Sequence, residues 1–149
     1  IAYKFTGEIS TTINGLSEAI LWDYKLNSSA DWLLDYFGID KKIIPQVVNN
    51  FQDQGRINKK ASEESGLPLN IPIRYRAGDQ PNNALSLNVL NPGEIAATAG
   101  TSAVIYCVSD KKIYDQNNRI NTFLHCNNSS RKKRNGILLC INGSYFWQK

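Results

Sequence analysis

The chain has 149 residues, of which 42% are hydrophobic and 20% charged, a balance that suits a folded domain with a real core and argues against disorder. The net charge of +4, from 17 basic and 13 acidic residues, is too small and too scattered to point to nucleic acid. No apolar run reaches the ~18 residues that would cross a membrane, so no membrane partner is expected.

The chain starts at Ile1 and contains no methionine, so it is expected to begin inside a longer reading frame, with no secretory leader at its front. Its three cysteines, Cys107, Cys126 and Cys140, are odd in number and lack CxxC spacing. That pattern argues against a disulfide framework and a zinc site, and the expected setting is a reducing cytoplasm. The basic run Arg131-Lys132-Lys133-Arg134 reads as a solvated loop, with a phosphate or nucleic-acid patch as its rival.

From Asn14, the apolar positions Leu16, Ala19, Ile20 and Leu21 predict a short helix with Asn14 as N-cap. Ser28 or Ser29 is expected to cap a second helix, with Trp32, Leu33, Tyr36 and Phe37 as its buried stripe and Gly38 as its stop. Ile43-Ile44-Pro45 opens an extended piece, because the residue before proline is pushed out of the helical region. Asn58 is a cap for a helix over 59–65 that Gly66 ends, and Ile71 to Tyr75 alternates as a short strand would.

That strand leads into Gly78-Asp79-Gln80-Pro81. Proline is favoured in the first turn of a helix, which makes Asp79 or Gln80 the expected N-cap of a helix over 81–88. Asn91-Pro92-Gly93 is a turn. Glu94 to Ala99 and Ala103 to Ser109 then read as two strands joined by Gly100-Thr101-Ser102, a hairpin pattern. Ile120 to Cys126 predicts another strand, and Gly136 to Ile141 a buried run. His125 has no carboxylate or metal partner near it in sequence and reads as a structural histidine.

Two of these turns carry candidate chemistry. A carboxylate at a strand-to-helix turn can act as a general base, and Gln80 adds the donor and acceptor that a polyhydroxylated substrate needs. Taken alone, Asp79 fits a plain helix cap better than a base, because Asp is a common cap. Gly100, Thr101 and Ser102 offer backbone N–H groups and hydroxyls that can hold phosphate oxygens, although many plain hairpins contain such residues.

The order of the two turns and the scaffold around them carry more information. The chain resembles the FGGY carbohydrate kinases through Trp22-Asp23, Gly38-Ile39, Ile44-Pro45, Gly55-Arg56-Ile57, Ser65-Gly66-Leu67, Ile71-Pro72-Ile73, Ala77-Gly78-Asp79-Gln80, Asn91-Pro92-Gly93-Glu94 and Ala99-Gly100-Thr101-Ser102. The stretch GEIAATAGTS, with Tyr106, Asn121-Thr122-Phe123, His125 and GILLCING, is most similar to the xylulose kinases of that family.

The resemblance implies an α/β fragment of the actin-like, ribonuclease-H-like ATPase fold. It places the end of an N-terminal domain at residues 1–91 and the start of a C-terminal domain at 92–149. It implies transfer of the γ-phosphate of ATP, with Mg2+, to a sugar hydroxyl, D-xylulose becoming D-xylulose 5-phosphate in the intact protein. Asp79 would be the catalytic base and contact the sugar with Gln80, and Gly100, Thr101 and Ser102 would bind the ATP phosphates.

The family's N-terminal phosphate hairpin and adenine-binding residues have no counterpart here, and after Gly143 the sequence leaves the family pattern. This piece alone is therefore expected to be inactive. The rival expectation is a non-catalytic binding or interaction module on the same scaffold, self-associating or dimeric through exposed apolar surface.

Overall fold

The structure is a computed structural model that describes residues 1–100 and 102–142. Its elements in chain order are α1 (Ala2–Thr6), β1 (Ser10–Thr12), α2 (Ile13–Glu18), β2 (Trp22–Asp23), β3 (Ser28–Ser29), α3 (Asp31–Tyr36), a 3-10 turn (Lys41–Ile43), β4 (Gln46–Val48), α4 (Lys59–Ser65), α5 (Asp79–Ser86), β5 (Ile95–Ala99), β6 (Ser102–Ser109), β7 (Asn121–Leu124) and β8 (Asn135–Asn142). The fold is mixed α/β. No described helix is long and apolar enough to cross a membrane.

The chain forms two compact units, Ile1–Ala77 and Gly78–Lys149. Within the second unit, α5 buries Ala84 in the same cluster as Ala96 of β5.

The first unit is built from short elements closed by local caps. The Thr12 hydroxyl oxygen accepts from the Gly15 N–H at 3.0 Å and starts α2. Asn14, the expected cap, is instead fully buried, and its N–H donates to Asn50 Oδ1 at 3.3 Å. α4 matches its sequence reading, with Asn58 Oδ1 accepting from the Ala61 N–H at 2.9 Å and Gly66 closing it at φ 73°.

α3 departs from expectation. Ser28 and Ser29 are not its cap but form β3, antiparallel to β2, and the helix starts after Ala30. The predicted buried stripe is largely in solvent, with Trp32 61%, Tyr36 79% and Phe37 65% exposed, while Leu34 is buried. With only six residues, the helix turns a single large apolar side chain fully into the core.

β1 and β4 pair in parallel, with Thr11 opposite Val47. The predicted strand over 71–75 survives as a short antiparallel pairing around an Arg56–Pro72 bridge. The Gln54 N–H donates to the Ile73 carbonyl and the Ile73 N–H to the Gly55 carbonyl, both at 2.8 Å. Beyond Pro72 the pairing continues, the Ile57 N–H donating to the Ile71 carbonyl at 2.9 Å and the Asn70 N–H to the Ile57 carbonyl at 3.0 Å, so the missing proline N–H costs this ladder no bond.

In the second unit the sheet order is β5-β6-β8-β7, and every neighbouring pair is antiparallel. Along β6 the period-2 alternation buries Val104, Tyr106 and Val108, whereas Ile105 on the other face is 42% exposed. Ala84, Ala96 and Leu138 complete this core, with Val89 and Phe123 packed at its margin. Burying a side chain such as Leu138 contributes about 1.5–3 kcal/mol. Along β8, Gly136 and Leu138 are buried on one face and Ile137, Leu139 and Ile141 are half-buried on the other, while Cys140, on the Leu138 face, is exposed near the strand end.

Candidate functional site

The segment entering the first turn is anchored within the first unit by Arg76. Its Nε donates to Gln54 Oε1 at 2.5 Å and its Nη2 to Ser10 Oγ at 2.7 Å. Gln54 is buried, and its own Nε2 donates to the Asn50 carbonyl at 2.9 Å. Residues far apart in sequence thus hold the backbone that leads to Ala77.

The second unit opens with Gly78 in an extended conformation, φ −72° and ψ 178°, as the N-cap of α5. Asp79 is therefore the first helical residue and not the cap. Its Oδ1 accepts from the Gln80 N–H at 2.7 Å, which orients the carboxylate while leaving it exposed. A carboxylate in the first turn also sits favourably at the positive end of the helix dipole. Gln80 is half-buried, and Pro81 is buried behind it at the position where a missing N–H costs nothing.

The second turn closes the β5–β6 hairpin. Ala99 pairs with Ala103, which leaves Gly100, Thr101 and Ser102 as the connection. Gly100 is exposed at the end of β5 and Ser102 opens β6, while Thr101 lies outside the described residues. The Glu94 carboxylate holds the start of β5: Oε2 accepts from the N–H groups of Leu90 at 2.6 Å and Asn91 at 2.8 Å, and Oε1 from Asn91 Nδ2 at 3.0 Å. These bonds, led by the Asn91 side chain, hold its pKa below the ordinary carboxylate value. The structure thus puts Asp79 and Gln80 at the head of α5, and Gly100 and Ser102 at a hairpin of the sheet on which α5 packs.

His125 is fully buried, with its Nδ1 2.9 Å from the Tyr106 hydroxyl, and it takes no part in either turn. No group of three or more His, Cys, Asp or Glu that could hold a metal ion occurs among the described residues. Asp79 alone does not make a magnesium site, so the described residues do not fit that ion. The exposed Gly100, with no side chain, does fit close approach of a phosphate chain to its backbone.

Sequence reading passed over one feature of the first unit. Phe51, Gln52, Asp53 and Arg74 line a depression of about 380 Å³. Its only sequence signal was a charged residue, Arg74, inside the strand-like IPIRY run.

No family model matches the chain. It is 28% identical to the glycerol kinase of Thermococcus kodakarensis over 122 residues, 82% of this chain and 24% of that protein. It is 23% identical to the xylulose kinase of Lactococcus lactis over 144 residues, 97% of this chain and 28% of that protein. The crystal structure of Plasmodium falciparum glycerol kinase with ADP superposes with a TM-score of 0.84 at 20% identity, over 97% of this chain and 28% of that one. The chain thus spans about a quarter of the length of the curated relatives it matches. It has the fold of the corresponding part of the FGGY carbohydrate kinases, an actin-like ATPase fold, and resembles those kinases in sequence along most of its length.

Proposed function

We propose that the chain is a segment of an FGGY-family carbohydrate kinase in which Asp79 is the base and the intact protein phosphorylates D-xylulose to D-xylulose 5-phosphate. The observation that carries this reading is the exposed carboxylate of Asp79 at the head of α5, oriented by the Gln80 N–H and followed by the β5–β6 hairpin.

In this mechanism Asp79 accepts the proton of the attacking sugar hydroxyl as its oxygen bonds to the γ-phosphorus of ATP, and the bond from that phosphorus to the β–γ bridging oxygen breaks to release ADP. Gln80 donates to and accepts from neighbouring hydroxyls and so sets which oxygen faces the carboxylate. Backbone N–H groups of the Gly100-Thr101-Ser102 connection hold phosphate oxygens without a cationic side chain. ATP supplies the transferable phosphoryl group, and the protein's contribution is positioning and charge stabilisation. No step is assigned to a metal on these residues.

Xylulose is supported by the Lactococcus lactis relative, whose similarity runs over 97% of the chain. Glycerol is the second reading, favoured by the higher identity of the Thermococcus kodakarensis relative. The deciding experiment is coupled ADP release by the intact protein with each acceptor. The reading expects a larger kcat/KM for xylulose and no sugar-dependent rate from these 149 residues alone. A larger value for glycerol replaces the acceptor, and no activity with either sinks the kinase reading.

A further inference from the structure

We propose that the depression lined by Phe51, Gln52, Asp53 and Arg74 binds a polyhydroxylated anion, a sugar chain bearing a carboxylate or a phosphate. This site belongs to the first unit alone and does not rest on the role given to Asp79.

The size suits such a ligand, since about 380 Å³ falls in the range of small-molecule pockets. The electrostatics select the charge. Asp53 is already compensated, with Oδ2 3.2 Å from Arg56 Nη2 and Oδ1 accepting from the Gly55 N–H at 3.1 Å. Arg74 is exposed and has no ion-pair or hydrogen-bond partner among the described residues. The lining therefore carries one uncompensated positive charge, on a planar fork that matches carboxylate and phosphate oxygens.

The remaining groups select the polyol. Gln52 Oε1 accepts from the Asn49 N–H at 3.1 Å and from Asn49 Nδ2 at 3.3 Å, which fixes the carboxamide and leaves its N–H donors uncommitted. A second depression of about 210 Å³ shares Gln52 and Asp53 and adds Ser10, whose oxygen accepts from Arg76 and whose own proton remains to be given, and the Glu8 carboxylate, which can accept from hydroxyls but repels an anion, so the polyol end lies here and the anionic group at Arg74. Phe51 is 58% exposed and stacks on Tyr75 with ring centroids 4.7 Å apart at 24°. That braced, uncovered ring offers an apolar face to the C–H side of a sugar beside the donors that take its hydroxyls.

The test is an NMR titration of this chain with gluconate, with glucose 6-phosphate, and with xylitol as the neutral polyol. Either anion is expected to shift the Phe51, Tyr75 and Arg74 signals, and the tighter of the two identifies the anionic group. Arg74→Gln should weaken that binding about tenfold or more, and Arg74→Lys less, because charge survives without the fork. Arg74 is exposed, so neither variant should perturb the fold. Four outcomes overturn the proposal: no binding of either anion, xylitol binding as tightly, acetate or inorganic phosphate binding as tightly, or Arg74→Gln binding unchanged. Shifts confined to Gln80 and its neighbours also overturn it while leaving the proposed role of Asp79 intact.

Discussion

Tyr106 and His125 are joined inside the second unit, hydroxyl oxygen to Nδ1 at 2.9 Å, with 1% and 0% of their surfaces exposed. Burial is the main reason that the imidazole pKa falls from 6.5 to about 4. The positive charge of Arg134 pushes the same way, and a hydrogen bond with the Val89 backbone opposes both. The folded state thus holds a neutral histidine where an unfolded chain would take up a proton.

The sign of the pH dependence follows. Between about pH 6.5 and pH 4 the unfolded state binds the extra proton, so stability is complete above that window and lost as pH falls through it. The loss is on the order of 3 kcal/mol once the window is crossed. Urea unfolding of the wild type should weaken from about pH 7 to about pH 5, and His125→Gln should flatten that slope even if it lowers stability throughout. An identical slope in both proteins would remove His125 as the source.

Gly136 makes the same tyrosine indispensable in another way. A Cβ at this position would lie 1.9 Å from Tyr106 Oη and 2.1 Å from its Cζ. The ring is enclosed and cannot swing aside, so Gly136→Ala should destabilise by about 3 kcal/mol or more. Tyr106→Phe should not rescue it, because the ring carbon clashes as well. Pairing Gly136→Ala with Tyr106→Leu should recover part of the loss in a double-mutant cycle of unfolding midpoints. Simple additivity of the two changes would refute the steric account.

What could be read from the sequence was local. Asn58 and Gly66 bracket α4 because capping and left-handed closure depend on residues a few positions apart. The β5–β6 hairpin followed from β-branched and small residues on either side of Gly100. The aromatic spacing of α3 marked a helix but carried no information about what would cover it, and Trp32, Tyr36 and Phe37 stand in solvent. The position of Asp79 at a helix start was legible. Its place as first helical residue depended on the backbone angles of Gly78, which no residue pattern specifies. The Arg76 anchor joins residues 22 and 66 positions apart, and the depression at Arg74 depends on the pairing of 54–57 with 70–73. Such long-range placements have no periodicity to reveal them.

Glu94 should contribute a separate acid sensitivity through the turn it closes. Hydrogen bonds from Asn91 and Leu90 favour its ionised form and hold its pKa below 4.5. A depressed carboxylate contributes stability above its unfolded value and loses it as pH falls through the folded one. Glu94→Gln keeps the shape but not the charge, so it should be less stable near neutral pH and lose this part of the acid limb. Glu94→Ala should lower the melting temperature further, by leaving the Leu90 and Asn91 N–H groups without their acceptor. A Glu94→Gln protein with an unaltered acid limb would show that the turn is held by other contacts.

Asp79→Asn separates the proposed chemistry from the fold. The asparagine oxygen can still accept the Gln80 N–H, and the position is exposed, so the unfolding midpoint should fall only slightly, through the lost attraction between the charge and the helix dipole. An amide is a very poor proton acceptor. On the proposed reading, the kcat of the intact kinase should fall by about 10²–10⁴. KM for the sugar should change little, because the hydrogen-bonding outline of the side chain is retained. Gln80→Ala should do the reverse, raising KM with a smaller effect on kcat, since Gln80 is assigned to hydroxyl contacts and not to the proton. An Asp79→Asn enzyme with undiminished kcat would return Asp79 to the plain structural role of a first-turn carboxylate.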